Sequence, residues 1–170
     1  MLIRSATERD REAIYYLWKD CFSDPNEYID FFMKKRFRAD FCAILEENRE
    51  VVGMIHLLPC LIEPKQKALY WYAAGIRSDY RNKGLFRKFS IHVKKEANNL
   101  GYRNLCVPAQ GLEEFYKSIG FSSEYVAEDK IFDKDDLDNI YEEYELQDND
   151  IVKIIDMLNH RRNLFRLCRG

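Results

Sequence analysis

One stretch of this 170-residue sequence brings together residue types that suit an anionic ligand. It is Tyr80–Phe86, "YRNKGLF", followed at once by Arg87 and Lys88. A helix that starts here exposes unpaired backbone N–H groups and a partial positive charge. The N–H groups of Asn82, Lys83, Gly84, Leu85 and Phe86 can point at a pyrophosphate. Arg81, Lys83, Arg87 and Lys88 add positive potential, and Gly84 removes a Cβ from the approach. The turn lacks the Lys-Ser/Thr ending of a P-loop and has one glycine where a dinucleotide fingerprint has three. Read locally, it is equally a basic helix start. The five cysteines, Cys21, Cys42, Cys60, Cys106 and Cys168, are scattered and form no CxxC pair, which argues for reduced thiols and against a zinc site.

The elements that must position this turn follow from periodicity. "LIRSAT" alternates and predicts a first strand. Thr7 caps a helix whose apolar stripe is Ile14, Leu17, Trp18, Cys21 and Phe22. Asp24-Pro25 opens a second helix, with Tyr28, Phe31 and Phe32 buried. "FCAILEE" and "VVGMIHLLP" flank "ENRE" as an antiparallel hairpin. "ALYWYAAGI" is a fourth strand, with Tyr70 and Tyr72 on one face and Trp71 on the other. Gly75 near its end marks a bulge or a close backbone approach. A helix from Leu85 to Leu100 carries Phe86, Phe89, Val93, Ala97 and Leu100 on one face and stops at Gly101. "YRNLCVP" is a fifth strand, "LEEFYKSIGF" a short helix with Tyr116 on its apolar side, and "SEYVAEDKIF" a sixth strand. The order is α/β, with a mixed sheet and a right-handed crossover in its second half.

From Asp133 the character changes. Residues 133–170 read as an acidic, helical C-terminal extension to a domain spanning 1–132. Ile151, Ile154, Ile155, Leu158 and Leu164 make an amphipathic stripe that a second copy of the chain would cover, giving a homodimer. No seventh strand is legible in this tail.

Composition excludes several classes. Apolar residues at 46% and charged residues at 33% are ordinary for a water-soluble protein. A net charge of −2 does not advertise nucleic-acid binding, although Arg77–Arg103 is locally basic. No apolar run approaches membrane-spanning length, and the start of the sequence does not resemble a signal peptide, so the expectation is a cytoplasmic protein with no membrane or nucleic-acid partner.

Three features occur together: the element order, the Arg-x-x-Gly turn of Arg81 and Gly84 after the fourth strand, and "EFYKSIGF" after the fifth. This combination resembles the GNAT superfamily of acyl-CoA N-acyltransferases over about Met1 to Phe132. Tyr116 and Gly120-Phe121 match the family's second signature. Phe86 stands where the family's turn has Gly or Ala, and Ala109 stands where it usually has Asn. The resemblance implies a mostly antiparallel sheet splayed between strands four and five and flanked by helices. It implies acetyl-CoA as co-substrate, with its pyrophosphate on Arg81–Arg87 and its pantetheine arm along Ala74, Gly75 and Ile76 as an added pseudo-strand. No metal is implied.

The activity so implied is transfer of an acetyl group to an amine of a small molecule or peptide, by direct attack in a ternary complex. Tyr116 is then the acid that protonates the departing thiolate. A base is expected for the amine; His56, the only histidine in a predicted strand, is a candidate for it or a hydrogen-bonded core residue. The departures at Phe86 and Ala109 and the missing strand motivate a second reading: a non-catalytic acyl-CoA-binding or interaction module on the same fold.

Overall fold

The computed structural model describes residues 1–62, 66–108, 111–127 and 162–167. Strand β1 (Leu2–Ser5) leads through a 3-10 turn, Glu8–Asp10, into α1 (Arg11–Cys21) and α2 (Asn26–Lys35). Then come β2 (Cys42–Glu47), β3 (Glu50–Ile62), β4 (Gln66–Ile76), α3 (Leu85–Asn99), β5 (Asn104–Pro108), α4 (Glu113–Ser118), β6 (Phe121–Ala127) and β7 (Arg162–Leu167). One sheet takes them in the order β1-β2-β3-β4-β5-β7-β6. Only β4 and β5 run parallel; every other neighbouring pair is antiparallel. The mixed, mostly antiparallel α/β sheet expected from the sequence is therefore present.

Local chemistry explains the joints. Asn48 and Arg49 both have positive φ, 51° and 68°, as a two-residue hairpin turn between β2 and β3 requires. At the end of α3, Tyr102 N–H donates to Ala97 O and Gly101 N–H to Asn98 O, each at 2.9 Å, which satisfies two terminal carbonyls and stops the helix. Thr7 N–H and Oγ1 both donate to Asp10 Oδ2, at 2.7 and 2.9 Å. Arg4 on β1 grips the same carboxylate, at 2.8 and 2.9 Å, and holds it down to a pKa of about 2.

The sheet separates two cores. Tyr70 and Tyr72 of β4 face α1 and α2 with Ile14, Leu17, Trp18 and Phe32. Leu69 and Trp71 face the other way, to Phe89, Val93 and Ala97 of α3 and Tyr116 of α4. This is the period-two alternation expected of a strand buried on both faces.

Two sequence expectations need correction. A seventh strand exists: Arg162–Leu167 lies between β5 and β6 and pairs with both, Val107 opposite Phe165 and Val126 opposite Asn163. Leu164, expected on a helical stripe, is in that strand, opposite Pro108 and Tyr125. "RNLFRL" does not alternate cleanly and its pairing partners are remote in sequence, so periodicity alone assigned it to the preceding helical pattern. The last strand of the sheet thus comes from the segment set apart as 133–170. The rest of the stripe, Ile151–Leu158, lies outside the described residues, as do Ala109 and Cys168.

The second correction concerns Leu100. It is half exposed, not part of the buried face of α3, because the helix has ended and the chain is already turning away.

Candidate functional site

The site begins where β4 loses a neighbour. Its register with β5 covers only Ala68–Tyr70, against Asn104–Cys106. On its other side β4 stays paired with β3 as far as Ile76. A bulge bends the strand between these two limits. Ile55 of β3 faces two residues, Ala73 and Ala74, because the register jumps from Tyr72 to Gly75. The extra residue is absorbed at Ala73, whose φ is +45°. The left-handed residue is thus Ala73, not Gly75.

Gly75 has a different task. A Cβ there would lie 2.8 Å from Cys21 Sγ and 3.0 Å from Cys21 Cβ. Only glycine lets the last turn of α1 come down onto the strand.

Beyond the bulge the main chain of β4 alternates. Arg77 N–H turns to β3 and donates to Val52 O at 2.8 Å. Its neighbour Ile76 therefore turns its N–H and C=O toward the gap. Arg81 Nε takes that carbonyl at 2.9 Å, and the N–H of Ile76 remains directed at the gap.

The basic turn follows. Asn82 and Gly84 are left-handed, at φ 60° and 69°, with Lys83 between them. Such alternation turns successive N–H groups to one side and makes an anion-binding concavity. The first N–H to pair inside α3 is that of Lys88, which donates to Gly84 O at 3.4 Å. The N–H groups of Leu85, Phe86 and Arg87 precede it and point out along the helix axis.

The cations of the turn are held by the protein. Lys83 Nζ donates to Asp79 O at 2.9 Å. Arg77 is forked onto Asp79 and reaches Glu50 at 3.0 Å. Arg87 donates to the carbonyl and the hydroxyl of Ser118, at 2.9 and 3.0 Å, and so ties α3 to α4. Ser78 N–H donates to Asp20 Oδ2 at 2.9 Å and pins the turn to α1.

These pieces enclose a cleft of about 550 Å³. Its floor and one wall are Ala74, Gly75, Ile76, Arg81, Asn82 and Gly84. Its other wall is Leu85, Phe86 and Arg87 of α3 with Leu112, Phe115 and Tyr116 around α4. Lys83, expected there, turns back to Asp79 and does not line it.

Phe86 is half-buried and packs against the α3-side core, its ring centroid 5.6 Å from that of Phe115. Tyr116 is 4% exposed and packs against Phe115 and Phe121, at 5.5 and 5.7 Å between centroids. Burial pushes its phenol up to about 12. It therefore holds its proton throughout the neutral range.

His56 lies elsewhere. It is 1% exposed on the α1–α2 face, with rings of Trp18 and Phe32 at 5.2 and 5.0 Å, and its Nε2 has no partner. Burial lowers its pKa from 6.5 to about 3. The structure does not bring it to the cleft, which removes the geometric basis for His56 as the base.

Sequence reasoning missed Cys21 and Phe22, which reach the cleft from the end of α1, and Leu112 and Phe115 on its far wall. Gly75 was the available signal for the first two, since a small residue on a strand marks a close approach. Burial raises the Cys21 thiol, against the opposing influence of a hydrogen bond with Arg81. Among the described residues there is no cluster of His, Cys and carboxylates that could hold a metal, and no helix long and apolar enough to cross a membrane.

A family model described as the acetyltransferase (GNAT) domain matches residues 2–123. No curated protein sequence matches the chain. Among solved structures it is similar to a GNAT-family N-acetyltransferase from Escherichia coli in complex with CoA: 18% identity over 72% of this chain and 68% of that one, TM-score 0.59. It is also similar to a GNAT-family acetyltransferase from Brucella melitensis in complex with acetyl-CoA, at 17% identity over 71% and 82%, TM-score 0.61. A Mycobacterium tuberculosis protein solved with CoA aligns over 100% of both chains at 14% identity, TM-score 0.62. At these identities the structural likeness is one of fold. The family model spans most of the chain, and its range, 2–123, takes in the basic turn and the tyrosine-bearing helix: the chain belongs to the GNAT family of acetyltransferases.

Proposed function

We propose that the protein is an N-acetyltransferase that moves an acetyl group from acetyl-CoA to the amine of a small molecule or peptide. One observation carries this reading: the end of β4, unpaired on its β5 side, runs into the N–H-rich turn at α3, and a protonated, buried phenol lines the same cleft. In this reading the pyrophosphate rests on the N–H groups of Asn82–Arg87. The side chain of Arg81 does not reach for it but keeps the turn in shape through Ile76 O. The pantetheine arm lies along Ala74–Ile76 as an added strand.

The chemistry then runs in two bond changes. The amine lone pair attacks the thioester carbonyl carbon and forms the C–N bond. Negative charge on the oxygen is met by main-chain N–H at the β4 edge, with Ile76 the best placed. Collapse breaks the C–S bond. Tyr116 gives its proton to the leaving sulfur and is reprotonated from solvent, while the amine's surplus proton passes to water. Burial that raises the phenol raises the basicity of a thiolate in the same place, so the two stay matched. With His56 sealed in the core, the amine enters as its neutral form or loses its proton to water. Cys21 and Cys42 are free thiols, which fits a cytoplasmic protein.

The test is calorimetry with acetyl-CoA, then thiol release against a panel of amines. Binding with turnover on any amine supports the reading. Binding with none across a broad panel favours a non-catalytic acyl-CoA module, and no binding removes both.

A further inference from the structure

Phe86 is the residue whose size fits the turn least, and its position gives it a task. It belongs at once to the phosphate turn, through its own N–H, and to the far wall, through its ring. That ring lies against Phe115, and Phe115 lies against Tyr116, at 5.6 and 5.5 Å between centroids. All three line one cleft. A row of rings therefore leads from the N–H-rich turn to the phenol of Tyr116. Phe86 and Phe115 are half-buried, and Leu112 beside them is 52% exposed, so apolar surface remains uncovered on this wall.

We infer that Phe86 and Phe115 form an apolar saddle for the gem-dimethyl group of the pantoyl unit, and that they thereby determine recognition of the donor's arm. This rests on the acyl-CoA reading above. The reason is order along the ligand. Between the pyrophosphate and the thiol, CoA carries one apolar branch, the two pantoyl methyls, and it lies next to the phosphates. The purine is on the other side of the pyrophosphate, and the acyl group is beyond the sulfur. Only the pantoyl methyls fall between the two landmarks that the rings connect. The charged groups are placed to match: Arg87 and the open N–H groups stand at the phosphate end, and no carboxylate lines the described part of the cleft.

A second consequence follows from the contact itself. Phe86 joins α3 to α4, as Arg87 does through Ser118. An arm seated on the saddle presses on the helix that carries Tyr116, so donor binding and placement of the phenol are linked.

The test compares CoA with an analogue that lacks both pantoyl methyls, by calorimetry on the whole chain. The wild-type protein is expected to bind CoA about tenfold more tightly, the worth of two buried methyl groups. Phe86→Ala should weaken CoA and bind the two ligands equally. Phe86→Leu keeps an apolar side chain and should restore most of the discrimination, and unchanged melting of this variant separates recognition from folding. A wild-type protein indifferent to the methyls overturns the saddle. So does a Phe86→Ala variant that binds CoA more weakly yet keeps the tenfold ratio, which would put the rings on the purine. Failure of the wild type to bind CoA at all removes the acyl-CoA reading itself.

Discussion

His56 and Tyr116 lie on opposite faces of one sheet and are almost equally buried, at 1% and 4% exposure. Burial does the same thing to both: it keeps each ring neutral, lowering the imidazole to about 3 and raising the phenol to about 12. The outcomes for chemistry are opposite. A neutral phenol that borders the cleft is an acid with its proton in hand. A neutral imidazole walled in by Trp18, Phe32 and Phe37 is a base with nothing to accept from. What separates them is which way the strand turns its side chain, not the degree of burial. His56 sits opposite Tyr72 on the closed face, whereas Tyr116 comes from a helix that flanks the gap.

Four experiments set one face against the other. The largest effect belongs to the open side. Tyr116→Phe should lower turnover by about a hundredfold, the usual range for loss of a general acid, while acetyl-CoA affinity stays within about twofold. Equal loss of both in steady-state and binding measurements would make Tyr116 a packing residue like His56.

Next comes acid stability, set by the closed side. The unfolded chain binds a proton at His56 below pH 6.5, and the folded chain resists it until about pH 3. The folded state thus binds fewer protons in this window, and stability must fall as pH falls through it, by up to about 1.4 kcal/mol per pH unit. Asp10 adds its own loss lower down, as pH drops from 3.8 towards 2. Urea titrations at stepped pH measure the slope.

Gly75→Ala probes the seam between α1 and the strand. Its methyl group would press on Cys21, at a cost of about 1–3 kcal/mol for overpacking. Cys21→Ala in the same chain should recover part of that in thermal melts. The smallest effect is expected for His56→Leu, which replaces an unpaired buried nitrogen with an apolar group. Turnover should be unchanged and the acid slope flattened; a large drop in kcat would restore His56 to the mechanism.

Much of this was legible because it is local. Phe89, Val93 and Ala97 recur at helical spacing, and they are the buried face of α3. Tyr70, Trp71 and Tyr72 alternate, and the two cores receive them alternately. The paired left-handed residues at Asn48 and Arg49 fit a turn that "ENRE" suggests. Of the cleft's lining, most of the turn, the strand edge at Ala74–Ile76 and Tyr116 could be named in advance, since a motif ties them together.

What stayed hidden depends on contacts between residues far apart in sequence. Cys21 reaches the cleft because a distant glycine admits it. Arg81 looked like a phosphate ligand, but its Nε donates to the carbonyl of Ile76, five residues earlier. Lys83 likewise satisfies itself on Asp79 O. A cation in a turn has carbonyls of its own turn within reach, and these compete with any ligand. The strand β7 was hidden because six residues, Arg162–Leu167, carry no record of which strands will receive them.

That strand also sets a timetable. β5 and β6 have no direct pairing in the sheet; each is hydrogen-bonded to β7, which is made after both. On a ribosome, the end of the sheet formed by β5, β7 and β6 must wait for a segment encoded well downstream, and chain closure precedes any gain from pairing. Until then β5 presents an open edge of the kind that invites pairing with other chains. The nascent protein is therefore most prone to misassociation on the half that later carries Tyr116, and a chaperone that shields an unpaired strand edge would act there first.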